Sequence, residues 1–275
     1  GLAMVHGALI FLDPRLSIGM LYRRYDKDYN TFYNAGFSEG GKTQNENGLY
    51  TGLNFKLNKA WSLSSYVDLF HFSWMKYLVD APSSGHEFLI QQTYKPNKIL
   101  KIYARYRQQL RQKNSRDSDN TITEIEDVLQ RNYRINFDYN VNKYIKIKSR
   151  VEYVTINRPS NTPEDGIILT QDFIYKPKSI PFNLAIRYAL FDTDSYDTRI
   201  YTYENNALYA FSVPSYYYQG SRAYVLVRYK LRRHLDIWMR YGVFLYNNRQ
   251  SISSGLEEIK GNRRSDFILQ LRFTF

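Results

Sequence analysis

Histidine and serine two residues apart on an extended chain share one face, and His71 and Ser73 form such a pair. An imidazole beside a hydroxyl can take its proton and leave an oxygen nucleophile, the first requirement of acyl transfer. The pair shares the parity of Leu63, Val67 and Leu69, which places it on an apolar face near one end of a strand. Such a site also needs an acid to orient the imidazole and donors for an oxyanion, and spacing assigns neither. The simpler expectation is an interfacial polar pair beside Trp74 and Tyr77, whose amphipathic rings favour that depth. The remaining histidines are His6, His86 and His234, and no two of the four stand at metal-ligand spacing. With no cysteine in the chain, neither a zinc site nor a disulfide framework is expected, and no cofactor is called for.

A second constellation is basic. Arg105, Arg107, Arg134, Lys146, Lys148, Arg150, Arg187, Arg228, Lys230, Arg240 and Arg272 fall on the parity opposite to the apolar residues of their segments. Fewer acids share that parity: Asp68, Asp138, Glu152, Asp172 and Asp236. Lining a channel, such a wall lowers the barrier for anions and raises it for cations. Equally, arginines and carboxylates on one face can close on one another through charge-assisted pairs. A third group is aromatic: Tyr196, Tyr201, Tyr203, Tyr209, Tyr216, Tyr217 and Tyr218 crowd one polar stretch. Tyrosine gives rigid, amphipathic contact area, suited to stacking on sugars, holding a partner or narrowing a passage. Acids at Asp117, Asp119, Glu124, Glu126 and Asp127 lack the spacing of a dedicated calcium loop and read as a solvated surface.

Strands must position all of these. Phe267, Leu269, Leu271, Phe273 and Phe275 alternate with Ile268, Gln270, Arg272 and Thr274, a period of two with one apolar side. The same alternation runs through 235–245, 223–231, 182–190, 133–141 and 145–153. Short polar turns are expected at Asp13-Pro14, Asn58-Lys59, Pro96-Asn97-Lys98, Asn142-Lys143, Lys176-Pro177-Lys178 and Arg232-Arg233. Between them come longer loops, at about 26–47, 74–85, 114–131, 157–165, 194–221 and 248–265. Short turns at one end and long loops at the other are the layout of a membrane barrel, with the turns periplasmic. The expected fold is thus all-β, a single antiparallel transmembrane β-barrel domain over residues 1–275 with about thirteen strands.

Composition agrees with this layout. The chain carries 27 Tyr and 16 Phe beside 23% charged residues, more aromatic surface than a polar soluble domain readily buries. No run of about 18 apolar residues exists, so a helical span is excluded, and a closed barrel is the remaining way across lipid. The net charge of +12 is spread along alternating strands and turns, not gathered on one helix or platform, so nucleic acid is not an expected partner. Exposed cations such as Arg263 and Arg264 suit the phosphates of lipopolysaccharide instead. No secretory signal opens the chain, so a mature, trimmed or fragmentary sequence is expected. An odd strand count points to at least one strand upstream, the alternative being that residues 1–12 plug the lumen and twelve strands close alone.

Three resemblances add to this reading. The segment Phe70-His71-Phe72-Ser73-Trp74-Met75-Lys76-Tyr77-Leu78-Val79-Asp80-Ala81-Pro82-Ser83-Ser84-Gly85 resembles one found in a group of Bacteroidota outer-membrane proteins. Flanking stretches Gly48-Leu49-Tyr50-Thr51-Gly52-Leu53 and Glu87-Phe88-Leu89-Ile90-Gln91 extend the likeness over about residues 48–110. That resemblance implies a large barrel whose first half lies upstream, behind a small helix-hairpin-helix region that this chain does not contain, and it implies no activity. The terminal Phe273-Thr274-Phe275, with Phe273 and Phe275 on one face, is similar to the signal that barrel-assembly machinery reads. The His71/Ser73 pair resembles the exterior Ser–His arrangement of outer-membrane phospholipases. The leading functional expectation is a pore or transport channel for small, anionic solutes in the bacterial outer membrane. A structural or partner subunit of an envelope complex is the alternative, and lipid hydrolysis is a third reading.

Overall fold

The computed structural model describes residues 1–31, 36–115 and 123–275. Strands fill most of the chain, beginning with β1 (Ala3–Asp13), β2 (Leu16–Tyr25), β3 (Glu46–Lys56), β4 (Trp61–Phe72) and β5 (Ser83–Tyr94). Next come β6 (Leu100–Asn114), β7 (Ile125–Asn140), β8 (Ile145–Arg158), β9 (Asn161–Tyr175) and β10 (Phe182–Thr193). Two short strands, β11 (Ile200–Tyr201) and β12 (Ser215–Tyr216), pair within one connection before β13 (Gln219–Arg232) and β14 (Leu235–Tyr246). Another short pair, β15 (Ser251–Ile252) and β16 (Ile259–Lys260), precedes β17 (Arg263–Phe273). Apart from the two short pairs, the thirteen strands form one antiparallel sheet in sequence order. Among the described residues, no helix is long and apolar enough to cross a membrane.

The short turns share a local cause. Asn58 Oδ1 accepts from the amides of Ala60 (2.8 Å) and Trp61 (3.0 Å). Asn97 does the same for Ile99 and Leu100, and Asn142 for Tyr144 and Ile145, at the same distances. Each Asn-Lys pair thus folds its own turn, the asparagine satisfying two amides that the ladder leaves open. In β10 and β14 the buried positions include Arg187, Ala189, Phe191, Asp236, Trp238 and Arg240, while Ile186, Tyr188, Leu190, Met239 and Tyr241 are exposed. In β4, Asp68 and Phe70 are buried whereas Val67 and Leu69 are exposed. Apolar residues outside and charges beneath reverse the pattern of a soluble protein and match a wall with lipid on its apolar face.

Several expected boundaries move. Residues 125–131 are the start of β7 and not part of a long loop, and 157–165 is a tight hairpin around Pro159 and Ser160. β13 and β17 likewise begin earlier than the alternation suggested, at Gln219 and Arg263. Toward these ends apolar periodicity fades while backbone pairing continues, so the strands outrun the pattern that signals them. Asp117 and Asp119 lie outside the described residues. Glu126 is not a free acid on a solvated surface: it accepts from Ser160 N (3.0 Å) and Ser160 Oγ (2.8 Å). Residues 1–12 do not form a plug, because β1 pairs with β2 from Ala3↔Tyr25 to Asp13↔Leu16.

Two compact units divide the chain. The first holds Gly1–Tyr94, Ala104–Tyr133 and Thr155–Pro163, and the second holds Lys95–Tyr103, Arg134–Val154 and Glu164–Phe275. In the first, Tyr50 lies beneath Phe37 and beside Tyr66, with ring centroids 5.4 and 5.2 Å apart. In the second, Ile174, Ala185, Tyr224, Leu226 and Trp238 form an apolar cluster that takes in Ala207 from the β10–β13 connection.

Candidate functional site

Charge is concentrated on the buried face, and in each unit a latch of the same construction holds a loop against that face. In the first unit, the fully buried Arg23 on β2 donates from Nε to Glu46 Oε1 (2.6 Å) and from Nη1 and Nη2 to the Asp68 carboxylate (2.8 and 3.1 Å). Asp68 lies two strands away on β4, and the guanidinium reaches it by passing over Gly48 of β3, the residue paired with Arg23. A Cβ at Gly48 would collide with that guanidinium, so the glycine is required for space. Glu46 also accepts from the backbone amides of Glu39 and Gly40 (3.0 Å each), which ties the β2–β3 connection to the wall.

The second unit repeats the device. Arg222 on β13 passes over Gly242 of β14, where a Cβ would meet its guanidinium, and donates from Nη1 to Asp266 Oδ1 on β17 (2.7 Å). Its Nε donates to Glu204 Oε1 (3.2 Å). Arg240 joins from β14, bonding both Glu204 and Asp266. Tyr216 adds a phenol hydrogen bond to Glu204 (2.6 Å), and Glu204 is fully buried. Here the carboxylate belongs to the loop itself. The 194–218 connection therefore folds inward, and other contacts follow: Arg187 Nη1 donates to Tyr203 O (2.7 Å), and Gln270 Nε2 donates to Leu208 O (2.9 Å).

Most of the cations expected on the wall are paired. Arg187 forms a two-point bond to Asp172, with Nη2 to Oδ2 at 2.6 Å. Arg134 grips Glu152 through two bonds (2.9 and 2.8 Å), and Arg150 shares that carboxylate. Arg228 and Arg272 both bond Asp236, Lys146 pairs with Asp138 (2.9 Å), and Arg107 with Glu87 (2.6 Å). Arg105 bonds Gln91. Lys148 makes no ion pair among the described residues, and Lys230 stands exposed near its turn. Cations still exceed acids on this face of the second unit among the described residues, and the buried Nε atoms of Arg150, Arg240 and Arg272 have no hydrogen-bond partner among them. Sequence reasoning missed Arg23, Glu46, Glu87, Arg222, Glu204 and Asp266. Arg222 carried a signal, since it shares the parity of Tyr224 and Arg228; Glu204 carried none.

Among the described residues no hydrogen bond joins His71 to Ser73. β4 ends at Phe72, the chain turns, and Ser73 Oγ meets Asn47 Nδ2 at a long 3.5 Å. The tyrosines separate into different environments. Tyr216 is buried against Phe191 and Phe244 (5.4 Å each), so it is a packing residue and not a recognition surface. Tyr196 and Tyr217 pack edge to face at 5.1 Å, and Arg249 lies 3.5 Å over the Tyr218 ring. Arg199 Nε donates to Tyr201 Oη (2.7 Å), Tyr203 packs on Phe211 (5.7 Å), and Tyr209 is 90% exposed.

No protein-family model matches the sequence, and no curated protein matches it either. Solved structures do. The chain is similar to the FrpB iron transporter of Neisseria meningitidis, F5-1 variant, at 11% identity and a TM-score of 0.58. Its apoprotein form matches at 12% identity and 0.56. The fold is that of an outer-membrane β-barrel. In both comparisons 99% of this chain is covered, and it spans about half (50%) of the transporter's length. A Pseudomonas aeruginosa FadL homologue also aligns, at 10% identity, a TM-score of 0.45, and coverage of 98% of this chain and 77% of the other. In a barrel the buried, charged face is the inner one, so the latches and the arginine lattice line the interior.

Proposed function

We propose that this protein is a transport barrel of the bacterial outer membrane, passing small anionic solutes along a cationic inner face that the 194–218 loop narrows. The observation that carries the reading is the excess of cations on the inner face of the second unit. Lys148 there has no ion pair among the described residues, and the Nε atoms of the paired Arg150, Arg240 and Arg272 have no hydrogen-bond partner among them. A paired arginine is electrically answered, whereas an unpaired lysine in a low-dielectric wall still attracts an anion. The inward loop is held at Glu204 and presents the exposed rings of Tyr209 and Phe211 (81% exposed), which suits it to select by size.

Planar-bilayer conductance of the refolded protein across a salt gradient tests this. The expected result is anion-preferring openings, with the preference reduced in Lys148→Glu and the conductance raised when residues 205–212 are replaced by a short glycine–serine link. Cation preference, or no conductance from protein of verified fold, would overturn it. Two partners belong to the same proposal. Arg263 and Arg264 are exposed and suit lipopolysaccharide phosphates, and the exposed Phe273 and Phe275, rings 5.2 Å apart, suit the barrel-assembly machinery.

A further inference from the structure

A cavity of about 600 Å³ opens in the first unit between the β2–β3 connection, the β4–β5 connection and the end of β6. Its volume is that of a small-molecule site. Phe72, Met75, Leu78 and Val79 give it apolar walls, and Lys76, Arg111 and Lys113 bring positive charge to it.

The cavity is held open by bonds that do not depend on an occupant. Asn45 donates from Nδ2 to Trp74 O (2.8 Å) and accepts from Trp74 N (2.9 Å), joining two of the connections. Asn114 accepts from Asp80 N (2.9 Å) and donates to its carboxylate (3.0 Å), joining the β4–β5 connection to β6. Lys76 and Val79 exchange backbone hydrogen bonds (3.0 and 2.9 Å) across a turn that puts Leu78 at φ 61°. A left-handed conformation at a leucine is strained, and such strain persists where the surroundings enforce it.

The charges do not balance. Arg111 is paired with Glu39, and Glu46 is occupied by Arg23 and two backbone amides. Lys76 has no carboxylate within ion-pair range among the described residues; its Nζ rests 3.2 Å from the centroid of Phe72. An ammonium supported only by an aromatic face, at the wall of an apolar cavity, is missing an anion.

We propose that this cavity binds an amphiphilic anion, a carboxylate on a medium-length apolar chain, with its headgroup on Lys76 and its chain against Phe72, Met75 and Val79. Burial, followed by the nearby Arg111, lowers the Lys76 ammonium to about 8, with Lys113 acting in the same direction and Glu46 and Glu39 opposing. Lys42 also borders the cavity. The sign is clear: the site is cationic below pH 8 and loses the Lys76 charge as the pH rises through that value.

The test is isothermal titration of the protein in zwitterionic phosphatidylcholine nanodiscs with octanoate, octanol and acetate, with empty nanodiscs as the blank. Octanoate is expected to bind at least about ten-fold more tightly than octanol, which lacks the charge, or acetate, which lacks the chain. Its affinity should fall by about ten-fold between pH 7 and pH 9, as a group with this pKa loses its proton. Lys76→Arg should keep the affinity at both pH values, and Lys76→Met should lose it at both. Equal binding of octanoate and octanol, equal binding of octanoate and acetate, or wild-type affinity that ignores pH would overturn the proposal. The pH arm needs no variant, so it decides the matter even where a substitution disturbs folding.

Discussion

The two units close an arginine over a glycine in the same way, yet they attach their loops with opposite polarity. In the first, the carboxylate of Glu46 is part of a strand and receives loop amides; in the second, the carboxylate of Glu204 is part of the loop and enters a pair of strand arginines. The distal acids differ as well: Asp68 is buried, whereas Asp266 is 37% exposed. A strand-borne acid remains beside its arginine whatever the loop does. A loop-borne acid leaves two guanidiniums behind when the loop moves, so the second latch couples loop position to wall electrostatics far more strongly.

The largest effect expected from this contrast is at Glu204. Glu204→Gln should cost about 3–5 kcal/mol in urea unfolding, because two buried arginines lose their shared carboxylate. It should also expose the 194–218 loop to limited proteolysis. Glu46→Gln should cost about 1–3 kcal/mol, since Arg23 keeps its two bonds to Asp68. Equal losses, or a loop that stays protected in Glu204→Gln, would break the comparison.

The glycines test what the latches have in common. Gly48→Ala and Gly242→Ala should each cost about 1–3 kcal/mol in the same assay, as the added methyl displaces the guanidinium above it. If either is neutral, its arginine does not cross by that route. The smallest effect is expected at Asp266→Asn, below about 1 kcal/mol, because this acid is partly hydrated and Glu204 still answers both arginines. A larger loss there would make the second latch as closed as the first.

How much of this was legible in the sequence varies by element. The thirteen strands of the sheet and the short turns expected between them were readable, because a two-residue apolar period and an Asn-Lys turn are local signals, whereas the tight turn at Pro159 and Ser160 was not. The inward parity of Arg187, Asp172, Arg134 and Glu152 was readable too, although parity alone gave no pairing. The early starts of β7 and β13 were not readable, since apolar alternation stops before backbone pairing does. The end of β4 at Phe72, between His71 and Ser73, was not readable either.

By itself, then, the sequence determined the strands of the sheet, their faces, their order and most of the short turns that join them, because each depends on neighbouring residues and the pleat's period of two. Only the tertiary structure decided which loop turns inward and what holds it. Glu204 meets Arg222 18 residues away and Arg240 36 residues away, and Arg23 reaches Asp68 across 45. Those meetings depend on sheet registers that place a glycine beneath each crossing arginine, a condition that no stretch of sequence displays alone.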